Sequence, residues 1–355
     1  MESRRHPTPA EPPADPFGER HRSVLRERFQ LMGGQFHFET DDPPLARIVR
    51  TAYSRLPSHK FAHPAPRFLV RLAMATMRRA RPIMRTADEP LRMRSFAAGG
   101  ILCGAMETAN FVALAPQQRS ALVVVSREML GSPYHVRYEM LEFAVYVLAS
   151  RAQGLVPLHA ACVGRGGRGI LLLGSSGSGK STVSLHCLLD GLDFLAEDSV
   201  LVDQNGLATG VANFLHVRPD SLRFLEDTGT AALIRGSPVI RRRSGVEKFE
   251  IDLRRPPYRL AAAPLRIGAV VFLSPKRVGA HALLAPMRKA QLIQKLAAGQ
   301  RYAAKQPGWS VFAQRVCRLP AFELSRGQHP GQAVEALKEL LPPGAAAPAS
   351  KRDRR

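Results

Sequence analysis

The feature that most constrains the fold of this chain is a glycine-rich segment that fits the pattern G-x-x-x-x-G-K-[ST]. Its residues are Gly174, Ser175, Ser176, Gly177, Ser178, Gly179, Lys180 and Ser181. The all-apolar run before it, Ile-Leu-Leu-Leu, suits a buried parallel strand, and the residues after it are typical of a helix. This strand–loop–helix order predicts an α/β domain with a phosphate-binding loop.

Each constrained position of this loop has a physical role. The glycines allow successive backbone N–H groups to point at phosphate oxygens, and the following helix presents the positive end of its dipole to the same site. Lys180 can reach the β- and γ-phosphates, and the Ser181 hydroxyl can ligate Mg²⁺. We therefore expect ATP and Mg²⁺ to bind at 174–182, with Thr182 completing the nucleotide-binding set.

Two adjacent carboxylates, Glu197 and Asp198, follow between the apolar runs 194–196 and 200–202. In nucleotide-binding proteins a carboxylate at the end of an apolar strand commonly holds Mg²⁺, and a second one can accept the proton of an attacking hydroxyl. The pattern predicts a catalytic pair, with the identity of the base left open. The alternative is an exposed acidic turn between two strands.

His159 lies in the apolar run 156–163, one strand ahead of the loop. A lone histidine beside such a run is more often a structural residue of the core than a catalytic group. The pattern alone leaves both roles open.

The chain of 355 residues is strongly basic, with 51 Lys and Arg against 29 Asp and Glu and a net charge of +22. Such a charge favours an anionic ligand, either a polyphosphate or an acidic peptide. Nucleic acid is the alternative partner, but the arginines are dispersed and no nucleic-acid-binding motif accompanies them. Nucleic acid is therefore not the partner we expect.

The composition predicts a cytoplasmic globular protein. No apolar stretch approaches the length of about 20 residues that a transmembrane helix needs, so no membrane span is expected. The first residues are rich in Arg, Glu and Pro, unlike a secretory signal. The four cysteines lie far apart, without the spacing of a metal site or a disulfide scaffold.

The sequence pattern divides the chain into four segments. Residues 1–25 and 342–355 are rich in proline and charge, and we expect disordered tails there. Residues 26–135 hold short apolar runs and one helical pattern, which predict a small, mainly β unit of α+β class. Residues 136–341 begin with a helix and alternate strands with helices, as in α/β domains. Helices are expected at 136–153, 286–298, 308–317 and 331–341.

Together these residues resemble the HPr kinase/phosphorylase family and its HPr-kinase-like serine kinases. The resemblance runs from the Leu-His-Ala strand, through the Ser-Gly-Ser-Gly-Lys-Ser loop, to the Ala-Glu-Asp strand. It implies a P-loop kinase domain similar to the nucleotide-binding core of phosphoenolpyruvate carboxykinase. It also implies that His159 lies near the transferred phosphoryl group, and that Lys180 and Ser181 hold the triphosphate and Mg²⁺. By the same resemblance, Asp198 contacts the metal and either Glu197 or Asp198 is the base.

The chain departs from the family in two places. Glu197 stands where HPr kinases have the first of two Asp residues, and a downstream Glu-Arg-Gly-Leu-Gly-type segment is absent from the sequence. The resemblance therefore points away from HPr and towards the HPr-kinase-like proteins of bacterial biosynthetic clusters, some of which phosphorylate a serine of a lasso-peptide precursor. It implies a protein or peptide phosphoacceptor, such as a ribosomally made precursor peptide, and allows a homo-oligomer.

A basic segment around Arg243 and Lys248 is a candidate for holding the γ-phosphate or an acidic peptide. The alternative is a solvated basic loop, although the family also has a lysine in a similar downstream loop. Taken together, the sequence predicts an ATP- and Mg²⁺-dependent serine kinase. The alternative is a nucleotide-gated regulatory or assembly protein that binds or slowly hydrolyses ATP and has no phosphoryl acceptor.

Overall fold

The computed structural model describes residues 24–75, 93–107, 109–242, 245–277 and 283–343. Arg243 and nearly all of the two predicted tails lie outside these residues. The described chain is a mixed α/β protein with two large open sheets and a small third one.

The first sheet is built from the N-terminal part of the chain. Its strands are β1 (Leu25–Leu31), β2 (Gly34–Thr40), β3 (Arg67–Met74), β4 (Met93–Ala98), β5 (Ile101–Met106), β6 (Asn110–Ala115) and β7 (Ser120–Val125). They lie in the order β1-β2-β3-β7-β6-β5-β4, with β3 parallel to both of its neighbours. Buried and exposed residues alternate along β2 and β6, so one face of the sheet is directed to a core.

Helix α1 (Pro43–Tyr53) covers part of that buried face. It begins where the Asp42 carboxylate accepts the Leu45 N–H at 3.0 Å, next to a proline in the first turn. Leu45, Val49 and Tyr53 recur at helical spacing, and all three are buried in the first core.

A long helix packs against the same core. It begins as the π-helical segment His135–Glu142, continues as α2 (Phe143–Gln153) and ends at Gly154, whose φ of 63° favours glycine. Met140 and Leu148 lie among the first sheet's buried residues. The sequence places this helix at the start of the second unit. Because it packs on the first sheet, we propose that the boundary between the units lies after it.

The second unit contains the remaining elements. The strands of its large sheet are β8 (Val156–Leu158), β9 (Ala161–Arg165), β10 (Arg168–Leu173), β11 (Asp193–Ala196), β12 (Val200–Val202), β13 (Leu207–Gly210), β17 (Leu265–Arg277), β18 (Leu284–Pro286) and β19 (Ala321–Arg326). The third sheet contains β14 (Phe214–Val217), β15 (Val239–Arg241) and β16 (Glu247–Asp252). The helices are α3 (Lys180–Leu189), α4 (Thr228–Arg235), α5 (Lys289–Gly299), α6 (Trp309–Val316) and α7 (Pro330–Lys338).

Strands β10, β17 and β19 form a parallel group at the centre of this sheet. Ile170 and Leu172 of β10 pack on the side of α3 and α7, whereas Leu171 and Leu173 pack on the side of α5 and α6. Burial on both faces explains why β10 is continuously apolar. Since parallel strands end at one edge, the loops that follow β10 and β19 lie there.

The helices predicted at 286–298, 308–317 and 331–341 are observed as α5, α6 and α7, within a few residues at each end. Helix α4 and the three-stranded sheet are additions that the sequence analysis did not predict. Within the described ranges, no helix combines the length and the apolar character that crossing a membrane requires.

Candidate active site

The glycine-rich loop connects β10 to α3 at the edge where the parallel strands end. Gly174 and Gly179 have φ values of 152° and 104°, and a Cβ built on Gly174 would lie 2.6 Å from the Ser178 Oγ. Side chains are therefore excluded where the backbone curls, and α3 begins directly after the loop at Lys180. The curled backbone lies where the sequence pattern predicts an anion cradle.

Lys180 is buried under this loop. Its Nζ donates to the carbonyl oxygens of Gly174 at 2.6 Å and Ser175 at 3.3 Å. Burial lowers the pKa of Lys180, and the charges of Asp198 and Glu197 oppose that shift. The ammonium group is thus held at the inner side of the cradle.

Two further polar groups lie at the loop, the Ser178 hydroxyl and the Arg326 guanidinium. The Ser178 Oγ is buried and has no hydrogen-bond partner among the described residues. Arg326, the last residue of β19, donates from a guanidinium nitrogen to the Gly177 carbonyl at 2.7 Å. Two cations therefore contact the loop: Lys180 from its buried side and Arg326 from its exposed side.

Glu197 lies directly beneath the start of α3. One carboxylate oxygen accepts the Ser181 hydroxyl, and the other accepts the His216 backbone N–H at 3.2 Å. Its side chain is only 8% exposed. Both oxygens are therefore engaged, one of them by the hydroxyl that the sequence analysis assigns to Mg²⁺.

Asp198, the next residue, has different partners. Its Oδ1 lies 2.8 Å from the His159 Nδ1, and its Oδ2 accepts the Tyr138 hydroxyl at 3.1 Å and an Arg242 N–H at 3.4 Å. Burial by itself would raise the pKa of Asp198. The hydrogen bond and charge of His159, with the charge of Arg242, outweigh burial and hold the pKa well below its ordinary value.

His159 follows β8 and is half-exposed, with 51% of its side chain accessible. The Gln300 side chain fixes its backbone, since its Oε1 accepts the His159 N–H at 2.9 Å and its Nε2 donates to the His159 carbonyl at 3.0 Å. The exposed ring and its contact with Asp198 do not fit a residue buried only for packing.

A buried network of charged residues lies next to His216, which contacts Glu197. Arg137 donates to Glu142 at 2.8 Å and also to Glu250, while its guanidinium carbon lies 4.0 Å from the centre of the Phe214 ring. The His216 Nε2 lies 3.1 Å from Glu250. These paired charges fix His216, whose backbone N–H holds Glu197.

These groups line one cavity of about 530 Å³ at the edge of the second sheet, within the usual size range of ligand sites. The predicted residues that line it are His159, Ser175, Ser176, Gly177, Ser178, Gly179, Lys180, Ser181, Thr182, Glu197, Asp198 and Lys248. Gly174 lies at the base of the loop, and Arg243 lies outside the described residues. The structure therefore brings together the segments that the sequence predicted, apart from these two residues.

The sequence analysis missed several residues of the site. Tyr138, Arg242 and Arg326 contact Asp198 or the loop, and His216 and Glu250 support Glu197. The first three come from a helix and from strand ends that are far apart in the chain. In a sequence with so many arginines, nothing distinguishes Arg242 from its neighbours.

Comparisons with known proteins give little further information. No family model matches the chain. No curated protein matches it either. Among solved structures, the HPr(Ser) kinase/phosphatase from Coxiella burnetii is similar at 10% sequence identity and a TM-score of 0.27, over 52% of this chain and 94% of that chain. A similarity at that level does not by itself establish a shared fold or activity.

Proposed function

We propose that the protein is an ATP- and Mg²⁺-dependent kinase that transfers the γ-phosphoryl group to a serine-type hydroxyl of a protein or peptide. One observation carries this proposal. The glycine cradle with Lys180, the Ser181–Glu197 pair and the His159–Asp198 pair all line the same cavity. Phosphoryl transfer needs an anion cradle, a metal site and a group that orients the acceptor hydroxyl.

The loop and its cations would bind the triphosphate. Backbone N–H groups of the cradle and the start of α3 are suited to phosphate oxygens. Lys180 donates to loop carbonyls in this structure, and phosphate oxygens would replace them as acceptors. Arg242, Lys248 and Arg326 line the same cavity, where their charge would stabilise the transferring group.

Ser181 and Glu197 would hold Mg²⁺. A hydroxyl and a carboxylate oxygen in contact are hard oxygen ligands, and Mg²⁺ typically takes one or two such protein ligands together with substrate phosphates. The bound metal would neutralise charge on the phosphate oxygens. The family resemblance assigns the metal contact to Asp198, but the observed contact between Ser181 and Glu197 favours Glu197.

Asp198 would then orient the acceptor. Both carboxylates have partners on each oxygen, but Asp198 is 28% exposed, against 8% for Glu197, so an acceptor can approach Asp198 more readily. The acceptor oxygen would bond to the γ-phosphorus while the bond to the β,γ-bridging oxygen breaks, releasing ADP. Asp198 would accept the hydroxyl proton, and His159 and Tyr138 would hold the carboxylate in position.

The test combines nucleotide binding with transfer. We expect the wild-type protein to bind MgATP by calorimetry and to transfer label from γ-labelled ATP to a serine-containing peptide pool. Lys180→Ala should weaken MgATP binding by about tenfold or more, because a charge-assisted bond to phosphate is lost. Lys305→Ala, an exposed lysine outside the cavity, should behave as wild type.

Two results would count against the proposal. If MgATP does not bind, the cradle is not a nucleotide site. If MgATP binds but label enters neither the peptides nor the protein itself, the nucleotide-gated regulatory function is the better reading.

A further inference from the structure

A second cavity, of about 730 Å³, lies on the opposite side of the catalytic carboxylates. Residues from three parts of the molecule line it: Leu102 of the first sheet, Phe143 and Tyr146 of α2, and Val211 and Phe214 of the second unit. The cavity is therefore formed only where the two units meet. Its walls are largely apolar, unlike those of the cavity beside the glycine-rich loop.

The two cavities meet at Glu197 and Asp198, which line both of them. Around Asp198, His159 and Arg242 line the first cavity, whereas Tyr138 lines the second. The Asp198 carboxylate thus lies between the first cavity, which suits a polyphosphate, and the second cavity, which is largely apolar and does not. An acceptor hydroxyl in the second space could reach Asp198 without displacing the nucleotide.

Tyr53 points to a ligand in the second cavity. Its side chain is 1% exposed and lines the cavity, and its hydroxyl has no hydrogen-bond partner among the described residues. A buried hydroxyl without a partner is unfavourable in a folded protein, and natural structures contain few of them. A polar group on a bound molecule would satisfy it.

Strand β4 indicates what kind of molecule fits. It is an edge strand that pairs only with β5 among the described strands, and Ser95 and Ala97 of β4 line the cavity. An extended peptide can add to such an edge through main-chain hydrogen bonds, and its alternate side chains then point into the adjoining pocket. The backbone of β4 and the apolar pocket together match a peptide better than a small polar alcohol.

The charges of the lining disfavour acidic partners. Among the described lining residues, four carboxylates (Glu139, Glu142, Glu197 and Asp198) stand against Arg151 and His216, although Arg137 pairs with Glu142 and Arg242 with Asp198. Although the whole chain is strongly basic, an acidic peptide would be repelled here. The net charge of the chain therefore favours an anionic ligand, whereas the lining of the second cavity does not. The polyphosphate would bind in the first cavity, beside the cations of the loop.

From these observations we infer that the second cavity binds the phosphoacceptor as an extended, apolar peptide segment. The segment runs along β4, and its serine or threonine hydroxyl reaches Asp198. A neighbouring apolar side chain packs on the apolar wall of the cavity, and a main-chain polar group of the segment hydrogen-bonds to the Tyr53 hydroxyl. This inference rests on the proposed kinase function and adds the class of acceptor and the role of the first unit, which completes the acceptor site.

The experiment uses two matched variants of β4. Ala97 and Ala98 are adjacent, both are exposed, and only Ala97 lines the cavity. The probe is a peptide library with one central serine and randomised flanks free of Ser, Thr and Tyr, labelled from γ-labelled ATP. We expect wild type to select peptides with Leu, Ile, Phe or Met next to the serine. Ala97→Trp should raise the KM for these peptides by roughly tenfold or more, because the ring occupies the cavity, whereas Ala98→Trp should not.

Tyr53→Phe tests the contact of the hydroxyl. It removes only an unpartnered oxygen, so the stability of the fold should not fall, while the KM for the peptide should rise without a change in kcat. An unchanged KM in either Ala97→Trp or Tyr53→Phe would overturn the inference, and so would selection of acidic flanks.

Failure of the kinase function gives a different result. In that case the wild-type protein would not bind MgATP, and the inference of an acceptor site would be wrong as well. If wild type binds MgATP and labels only small-molecule alcohols, or labels peptides equally well in Ala97→Trp, the nucleotide site stands and the acceptor assignment is wrong.

Discussion

Glu197 and Asp198 are adjacent in the chain, yet their carboxylates lie in different surroundings. Glu197 is buried between Ser181 and the backbone of His216, and Asp198 is more open and contacts His159 and Arg242. A metal ligand and a proton acceptor need such a difference, because one must stay fixed while the other meets the substrate. Under the proposed function, Glu197 would hold the metal and Asp198 would accept the proton.

Glu197→Gln tests the metal role. The amide keeps the size of the side chain but loses its charge, so we expect the Mg²⁺ concentration for half-maximal transfer to rise by about tenfold. Titration of activity with Mg²⁺ at saturating ATP measures this. Glu335→Gln, an exposed carboxylate that does not line the cavity, is the matched control and should leave the titration unchanged. An unchanged midpoint for Glu197→Gln would place the metal elsewhere.

Arg137→Met tests the buried network. The guanidinium is 4% exposed and pairs with both Glu142 and Glu250. Removing it leaves two carboxylates buried without their cation, so the free energy of unfolding should fall by about 3–5 kcal/mol. Urea denaturation at neutral pH measures this. Arg235→Met, on the exposed side of α4, should change stability by less than about 0.5 kcal/mol; equal effects of the two variants would contradict the network's role.

His186 gives the fold a predictable dependence on pH. Burial, together with the nearby His329, lowers the pKa of His186 to about 4. Because its pKa is lower folded than unfolded, the unfolded chain binds more protons between pH 6.5 and about 4. Its stabilising contribution is therefore complete above pH 6.5 and is lost as the pH falls towards 4.

The variant His186→Leu should remove that part of the pH dependence. Unfolding midpoints in urea, compared at pH 7 and pH 5, should differ less for the variant than for wild type. The same difference in both proteins would show that His186 does not titrate as expected.

At the scale of elements, the glycine-rich loop is shaped by a close backbone approach. A Cβ on Gly174 would lie 2.6 Å from the Ser178 Oγ and 3.1 Å from the Leu273 carbonyl. Gly174→Ala should therefore distort the cradle and weaken MgATP binding by about tenfold or more, measured by calorimetry. Gly299→Ala, where a Cβ meets nothing, is the matched control. Equal affinities of the two variants would show that the cradle does not bind phosphate.

The sequence predicted those elements whose signals are local. The loop, the apolar strand before it and helices α5 to α7 are each encoded by a short run of residues. Strand β16 alternates polar and apolar residues only from Lys248 to Asp252, and the basic run before it led the sequence analysis to treat the segment as a loop. The surroundings of Asp198 could not be predicted because Tyr138 and Arg242 reach it from elements that only the folded chain brings together.

At the scale of the whole molecule, the two units share buried polar contacts. His59 of the first unit lies 2.8 Å from the Thr209 Oγ1 and 2.9 Å from the Ala261 carbonyl of the second. Asn213 and Arg254 of the second unit donate to carbonyl oxygens at the end of α1. One of these residues, Asn213, also lines the second cavity.

Because of these contacts, we expect the two units to unfold together. Native-state hydrogen exchange should show that slowly exchanging amides of β2 and β10 open with the same free energy and the same dependence on denaturant. His59→Leu should weaken this coupling, because it removes two of the hydrogen bonds across the boundary. Different opening energies in the wild-type protein would show that the units are independent and that the second cavity has no fixed shape.

The most direct test of the kinase function is the rate of phosphoryl transfer by Asp198→Asn at saturating MgATP. The wild-type protein is the reference, and a thermal melt confirms that the variant is folded. The amide cannot accept the proton of the hydroxyl, so transfer to the serine peptide pool should fall by about 100-fold or more while MgATP still binds. Transfer at the wild-type rate by a folded Asp198→Asn protein would contradict the proposed role of the site.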